Sequence, residues 1–313
     1  MSATRQCTVA AVLLVSACTT QDTPLDGGAA NAENSGDLHT SRGLEVLVIA
    51  PYEHDSATAR AYLSATPARL LSKLLEDTEL NPQDIRLGVV STVVEGKSVC
   101  DSQPPPPGTL LTGPSGAALL TGEAGSDLWA RHVQSGQGSP ECWNPHYLEV
   151  ATLALDGRNG DFPRPDALLV VLVLNSLDDC SIDDYSLWDQ PAVWSPEKIR
   201  FTTKCYLPPQ GFLFPVQRYP EFFVARHPGR VFVAAISWPT KPSFTTDPSG
   251  YTVIANGKCS DQIWPAPRMA EFIDAVRAHQ DPRLQGSLYD MGCDPSSADI
   301  ASLAGAIIDH GRL

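Results

Sequence analysis

From residue 43 onward, short apolar runs alternate with longer segments whose apolar residues recur at helical spacing. Leu44–Ala50 is a nearly continuous apolar run, as expected for a strand covered on both faces. After a break at Pro51, residues Ala61, Leu63, Leu70, Leu71, Leu74 and Leu75 predict a helix over Ala57–Leu75. Ile85–Val94, β-branched at most positions, predicts a second strand. Residues 95–125 hold glycines, Cys100 and the run Pro104–Pro107, and are expected to be irregular. Helical spacing returns at Ser126–Val133 and Pro145–Leu155, and Ala167–Leu174 is the strongest buried-strand pattern in the chain. An insertion follows, from Leu177 to about Phe214. Beyond it the pattern predicts a helix at Val216–Ala225 and a strand at Arg230–Ser237. A loop with Cys259 leads to a helix at Pro267–His279, a strand near Gly286–Tyr289 and a closing helix at Ser296–Ile308. Strands alternating with helices imply an α/β fold, a doubly wound and mostly parallel sheet flanked by helices.

The chain before this pattern has another character. Met1–Gln6 is polar and carries Arg5, and the apolar run Thr8–Ala17 that follows is short. A helix needs about 20 residues to cross a bilayer core of roughly 30 Å, so this reads as a secretory signal. Val15-Ser16-Ala17-Cys18 resembles the lipobox of bacterial lipoproteins, which implies cleavage before Cys18 and acylation (palmitate) of that residue. Several acyl chains make a lasting membrane anchor where one does not. The expected organisation is therefore a signal peptide over 1–17, a lipid-anchored flexible linker over 18–42, and one domain over 43–313. Residues 19–42 are polar, rich in Gly, Asn, Asp and Thr, and lack apolar periodicity. Thr19, by resemblance to Gram-negative lipoproteins, points to the outer membrane of the cell envelope.

Charge changes the picture of partners. The net charge is −14, and loss of Arg5 with the signal makes the chain more acidic still. Such a chain repels phosphate backbones, which argues against nucleic acid. Of eight cysteines, Cys7 leaves with the signal and Cys18 takes lipid. Cys100, Cys142, Cys180, Cys205, Cys259 and Cys293 remain, an even number that suggests disulfides without selecting the pairing. There is no Cys-x-x-Cys, and Cys142 with His146 is the nearest approach to a zinc pair. Most of the seven histidines are expected on the surface.

The order of segments resembles the von Willebrand factor type A domain of secreted bacterial lipoproteins, over roughly residues 44–310. Ile85-Arg86-Leu87-Gly88-Val89-Val90 is similar to its second strand. Ala167–Leu174 with Asp178-Asp179-Cys180-Ser181 is similar to its central strand and acidic exit. Phe214-Pro215-Val216-x-Arg218-Tyr219 and Arg230–Ile236 are similar to the next helix and strand. The resemblance implies sequence-neighbour disulfides that clip loop insertions: Cys100–Cys142, Cys180–Cys205 and Cys259–Cys293. It also implies a divalent cation at the carboxyl end of the sheet, held by Asp-x-Ser-x-Ser, a Thr and a second Asp, oxygens suited to Mg²⁺ or Mn²⁺. Here those places fall on Ala50, Tyr52 and His54, with the second Asp on Ser176 just after Asn175. For the Thr, Ser135 and Ser139 are the candidates. Required carboxylates are missing, so no metal is expected. Shifted ligands at Glu53, Asp55, Asp178 and Asp179 are the alternative, as is Ca²⁺ held by Asp183, Asp184 and Asp189. The simpler expectation is that these acids are solvated loop carboxylates.

No catalytic motif completes itself. Glu95-Gly96-Lys97-Ser98 lacks the first glycine of a phosphate-binding loop, since Ser91 stands there. Neither Gly-x-Ser-x-Gly nor His-Glu-x-x-His occurs, and Glu53-His54-Asp55 has no placed nucleophile. The expected function is a membrane-anchored, non-enzymatic module for adhesion or protein interaction, with an unknown protein or matrix partner. Its candidate binding loops carry Tyr52, Glu53, His54, Asp55, Ser176, Asp178 and Asp179. The alternatives are a cation-dependent adhesin and a hydrolase that uses His54 with nearby carboxylates.

Overall fold

The computed structural model describes residues 43–51, 57–76, 80–92, 106–135, 145–175, 177–182, 205–206, 213–238, 240–246, 248, 252–255, 265–290 and 300–312. In chain order these form β1 (Leu44–Ala50), α1 (Ala57–Leu75), β2 (Ile85–Ser91), β3 (Leu119–Thr121), α2 (Gly125–Ser135), α3 (Tyr147–Ala154) and β4 (Leu168–Leu174). There follow α4 (Arg218–Arg226), β5 (Val231–Ser237), β6 (Phe244–Thr246), β7 (Thr252–Ile254), α5 (Pro267–Ala278), β8 (Leu284–Asp290) and α6 (Ile300–Arg312). Six strands make one sheet in the order β3-β2-β1-β4-β5-β8, parallel except for β3.

The continuous apolar runs are explained by two helical layers. Along β1, Leu44, Val46, Val48 and Ala50 face α1, α2 and α6, packing with Leu70, Leu71, Leu74, Trp129, Leu303 and Ile307. Leu47 and Ile49 face the other way, toward α3, α4 and α5 with Leu148, Tyr219, Phe223, Met269 and Phe272. Every residue of β1, β4 and β5 is buried, because side chains alternate between two covered faces.

One charge interrupts β1. Glu45 is buried at the amino end of the sheet, where Arg86 Nε donates to it at 2.8 Å and Arg164 donates from the other side. Burial raises the Glu45 pKa, and the two guanidiniums work against that rise.

Several expectations need correction. The 95–125 stretch contains β3, whose Leu119–Thr121 pairs antiparallel with Arg86–Gly88. Three residues are too few to show a period, and only the edge of β2 makes them a strand. The second strand ends at Ser91, and the β6–β7 hairpin was not foreseen. Histidines also depart from the expected surface placement: His132, His146, His227 and His310 are buried. His227 Nε2 donates to the Ala167 carbonyl at 2.9 Å and His310 Nε2 to that of Arg283 at 3.0 Å, so these rings serve as neutral cross-links. Among the described residues, no helix is long and apolar enough to cross a membrane.

Candidate functional site at the carboxyl end of the sheet

Neighbouring strands β1 and β4 send their connections to opposite sides, since β2 flanks β1 and β5 flanks β4. The crevice outside their carboxyl ends is where doubly wound sheets place ligands. At this rim the described chain presents Ala50, Asn175 and Ser237. Asn175 is buried; its Nδ2 donates to the Leu177 carbonyl at 2.9 Å, while its Oδ1 and Ser237 Oγ find no hydrogen-bond partner among the described residues. Tyr52, Glu53, His54, Asp55 and Ser176 lie outside the described residues, as do Cys18, Ser139, Asp183, Asp184 and Asp189. Ser135 is the last residue of α2.

Asp178 and Asp179, expected as solvated loop acids, are instead buried, with 2% and 0% exposure. The reason lies in two helices that lack caps of their own. Helix α3 is preceded by His146 and α5 by Ala266, and neither side chain makes a capping hydrogen bond. The first-turn amides of a buried helix still require acceptors. Asp179 Oδ1 accepts from Leu148 N at 3.0 Å, and Ser181 Oγ accepts from Glu149 N at 3.1 Å, serving the second and third residues of α3. Asp178 does the same for α5, accepting from Arg268 N at 3.0 Å and Met269 N at 3.2 Å. Pro267 stands first in that helix and has no N–H to satisfy.

Arg268 completes the cluster. Its Nε donates to Asp179 Oδ2 at 2.9 Å, and its Nη2 donates to the Phe214 carbonyl. Ser181 Oγ donates to Asp179 Oδ1 at 2.7 Å. Backbone bonds hold the segment on further sides: Cys180 N to Pro145 O at 2.8 Å and Phe214 N to Ser181 O at 3.0 Å. The 178–182 segment thus joins the exit of β4 to the starts of α3, α4 and α5.

The expected Cys180–Cys205 disulfide is present, with Cα atoms 5.5 Å apart and a sequence separation of 25. The next residue, Tyr206, offers its hydroxyl oxygen to the Asp178 N–H at 2.9 Å. Cys100, Cys142, Cys259 and Cys293 lie outside the described residues.

Burial dominates the electrostatics. It pushes Asp178 up to about 8, although the Arg268 and Asp179 amides favour the anion. It holds His146 down, to about 4, against the attraction of Asp179. Glu149 is also raised by burial, with Arg218 at 3.3 Å opposing the rise.

These residues do not fit a divalent-cation site. Ala50 offers no ligand, and the oxygens of Asp178 and Asp179 already accept amide, hydroxyl and guanidinium hydrogens on the inner side of the rim. Among the described residues, no cluster of three or more His, Cys, Asp or Glu is placed to hold an ion. Arg268, which sequence reasoning missed, was readable only as a helix start without a capping residue.

The sheet order and the two helical layers define a doubly wound α/β domain. No protein-family model matches the chain, and no curated protein matches it. Among solved structures it is similar to proximal thread matrix protein 1 from the mussel byssus, at 9% identity and a TM-score of 0.38. That likeness covers 86% of this chain and 48% of the mussel protein. It is similar also to the human COPII-coat protein Sec24c, at 11% identity and a TM-score of 0.38, over 86% of this chain and 32% of that one. The chain therefore spans less than half the length of either protein, and overlaps this loose carry no argument about its activity or partners.

Proposed function

We propose that this protein is a von Willebrand A-type interaction module, anchored to a membrane of the cell envelope through acylated Cys18. It is not an enzyme in this reading. The loops after β1 and β4, which include Tyr52, Glu53, His54, Asp55 and Ser176, contact a protein or matrix partner. The observation that carries the reading is the inward turn of Asp178 and Asp179. With these acids engaged in helix capping, the rim is a rigid support for loops and not a cation grip. Loops on a rigid scaffold are where recognition commonly resides. The anchor rests on the Val15–Cys18 lipobox, and the module on the segment order.

The test is thermal denaturation of the purified protein with EDTA and then with Mg²⁺, Mn²⁺ or Ca²⁺. Ligand at 100 times Kd stabilises by about 2.7 kcal/mol, which reads as a raised Tm. No shift is expected. A shift abolished by Asp55→Ala would replace this reading with a cation-dependent adhesin. Metabolic labelling with palmitate tests the anchor: label in the parent chain and none in Cys18→Ala is expected, and label retained in the variant defeats it.

A further inference from the structure

We propose that Cys180–Cys205 is a redox-sensitive latch on the two helix caps. Its reduction releases Tyr206 from Asp178 and opens the α3–α5 end of the domain, while the six-stranded sheet persists. Asp178, Asp179 and Ser181 reach the first turns of α3 and α5 only while residues 178–182 lie flat against them. On the outer side that segment is held by Tyr206, through its bond to Asp178 N, and by Leu213, bridged to Ile182. Tyr206 arrives from a point 28 residues along the chain, and the disulfide at its neighbour Cys205 ties that part of the chain to Cys180.

The packing around the disulfide is separable from the rest. Cys180, Ile182, Cys205, Tyr206 and Leu213 form a small apolar cluster of their own, apart from the two cores that cover the sheet. Loosening this cluster removes no side chain from either main core. It does admit water to Asp178, Asp179 and Arg268, and the Asp179–Arg268 attraction depends on a low local dielectric. Hydrated carboxylates lose their reason to remain on the helix amides. Two caps and an ion pair therefore respond together to one covalent bond.

The chemistry balances with a dithiol as reductant. One of its thiolates attacks a sulfur of the disulfide, and its second thiol resolves the mixed disulfide. The S–S bond breaks, Cys180 and Cys205 each end as a thiol, and the dithiol carries away the new disulfide. Both cysteines are 1% exposed, so the exchange proceeds through transient opening of the small cluster.

Amide hydrogen exchange on the full-length chain tests the latch. Four samples are compared: oxidised protein, protein reduced by excess dithiothreitol, a Cys180→Ala/Cys205→Ala variant, and Tyr206→Phe with the disulfide intact. Protection of the Leu148, Glu149, Arg268 and Met269 amides is expected to fall at least about tenfold on reduction and in the double variant, with Val170–Leu174 unchanged. The double variant assigns the effect to this disulfide, and Tyr206→Phe is expected to give part of the same loss. Unchanged exchange at the four helix amides overturns the proposal. So does a parallel loss in β4, which would make the disulfide a global staple. If the double variant does not fold, full protection in Tyr206→Phe is sufficient to reject the latch.

Discussion

Arg268 Nε lies 2.9 Å from Asp179 Oδ2, with the two side chains 6% and 0% exposed. A charge pair so far from water persists because its other polar atoms also find partners, Leu148 N and Ser181 Oγ for Asp179 and the Phe214 carbonyl for Arg268. Removing one partner is therefore worse than removing both. Arg268→Met or Asp179→Ala alone is expected to cost about 3–5 kcal/mol in urea denaturation, since each leaves a buried charge without its counterpart. The double variant is expected to cost less than the sum of the two. Additive losses would show that the pair is not coupled.

Asp178 gives the protein an alkaline weakness. Its folded value, raised by burial to about 8, stands above the ordinary 3.8, so the native state holds this proton more tightly than the unfolded chain. Stability from this group is full below about pH 4 and is lost as pH rises through 8. Urea midpoints measured from pH 5 to 9 are expected to decline, and Asp178→Asn is expected to flatten that decline.

The buried histidines act in the opposite direction. Burial lowers His132, His146, His227 and His310 from the ordinary 6.5, so the native state binds fewer protons than the unfolded chain. Their contribution is full above pH 6.5 and is lost as pH falls toward about 4, the value for His146. His227→Gln is expected to reduce the slope of Tm against pH between 6.5 and 4.5. An unchanged slope would mean that this ring is not titrating on unfolding.

Gly113 is a steric test of the same interior. A Cβ placed there would stand 1.8 Å from His132 Nδ1, and that ring is 0% exposed. Gly113→Ala is expected to destabilise by about 1–3 kcal/mol, the usual cost of overpacking, read as a lowered urea midpoint. No loss would show that the His132 ring can move aside.

The sheet was legible because its strands are buried on both faces. Leu44–Ala50 and Ala167–Leu174 need no polar side, so composition alone marks them as strands. Helix α1 was equally plain from its spacing and runs over Ala57–Leu75 as expected. β3 was not, because a three-residue edge strand takes its identity from Arg86–Gly88 across the ladder.

Site residues divide in the same way. Sequence determined that Ala50 cannot serve as a metal-binding acid, that Asp178 and Asp179 follow the central strand, and that Cys180 and Cys205 are available to pair. Tertiary structure alone decided where those acids point. A carboxylate in a loop is indifferent to its sequence neighbours, and its burial depends on which donors the fold brings within 3 Å. Here they are the amides of α3 and α5 and the guanidinium of Arg268, some 31 and 90 residues away along the chain. Hydrophobic patterning is a local property of the chain and can be read along it. Helix capping across the fold is a long-range pairing, and it appears only when the two uncapped helices and the segment that serves them are packed together.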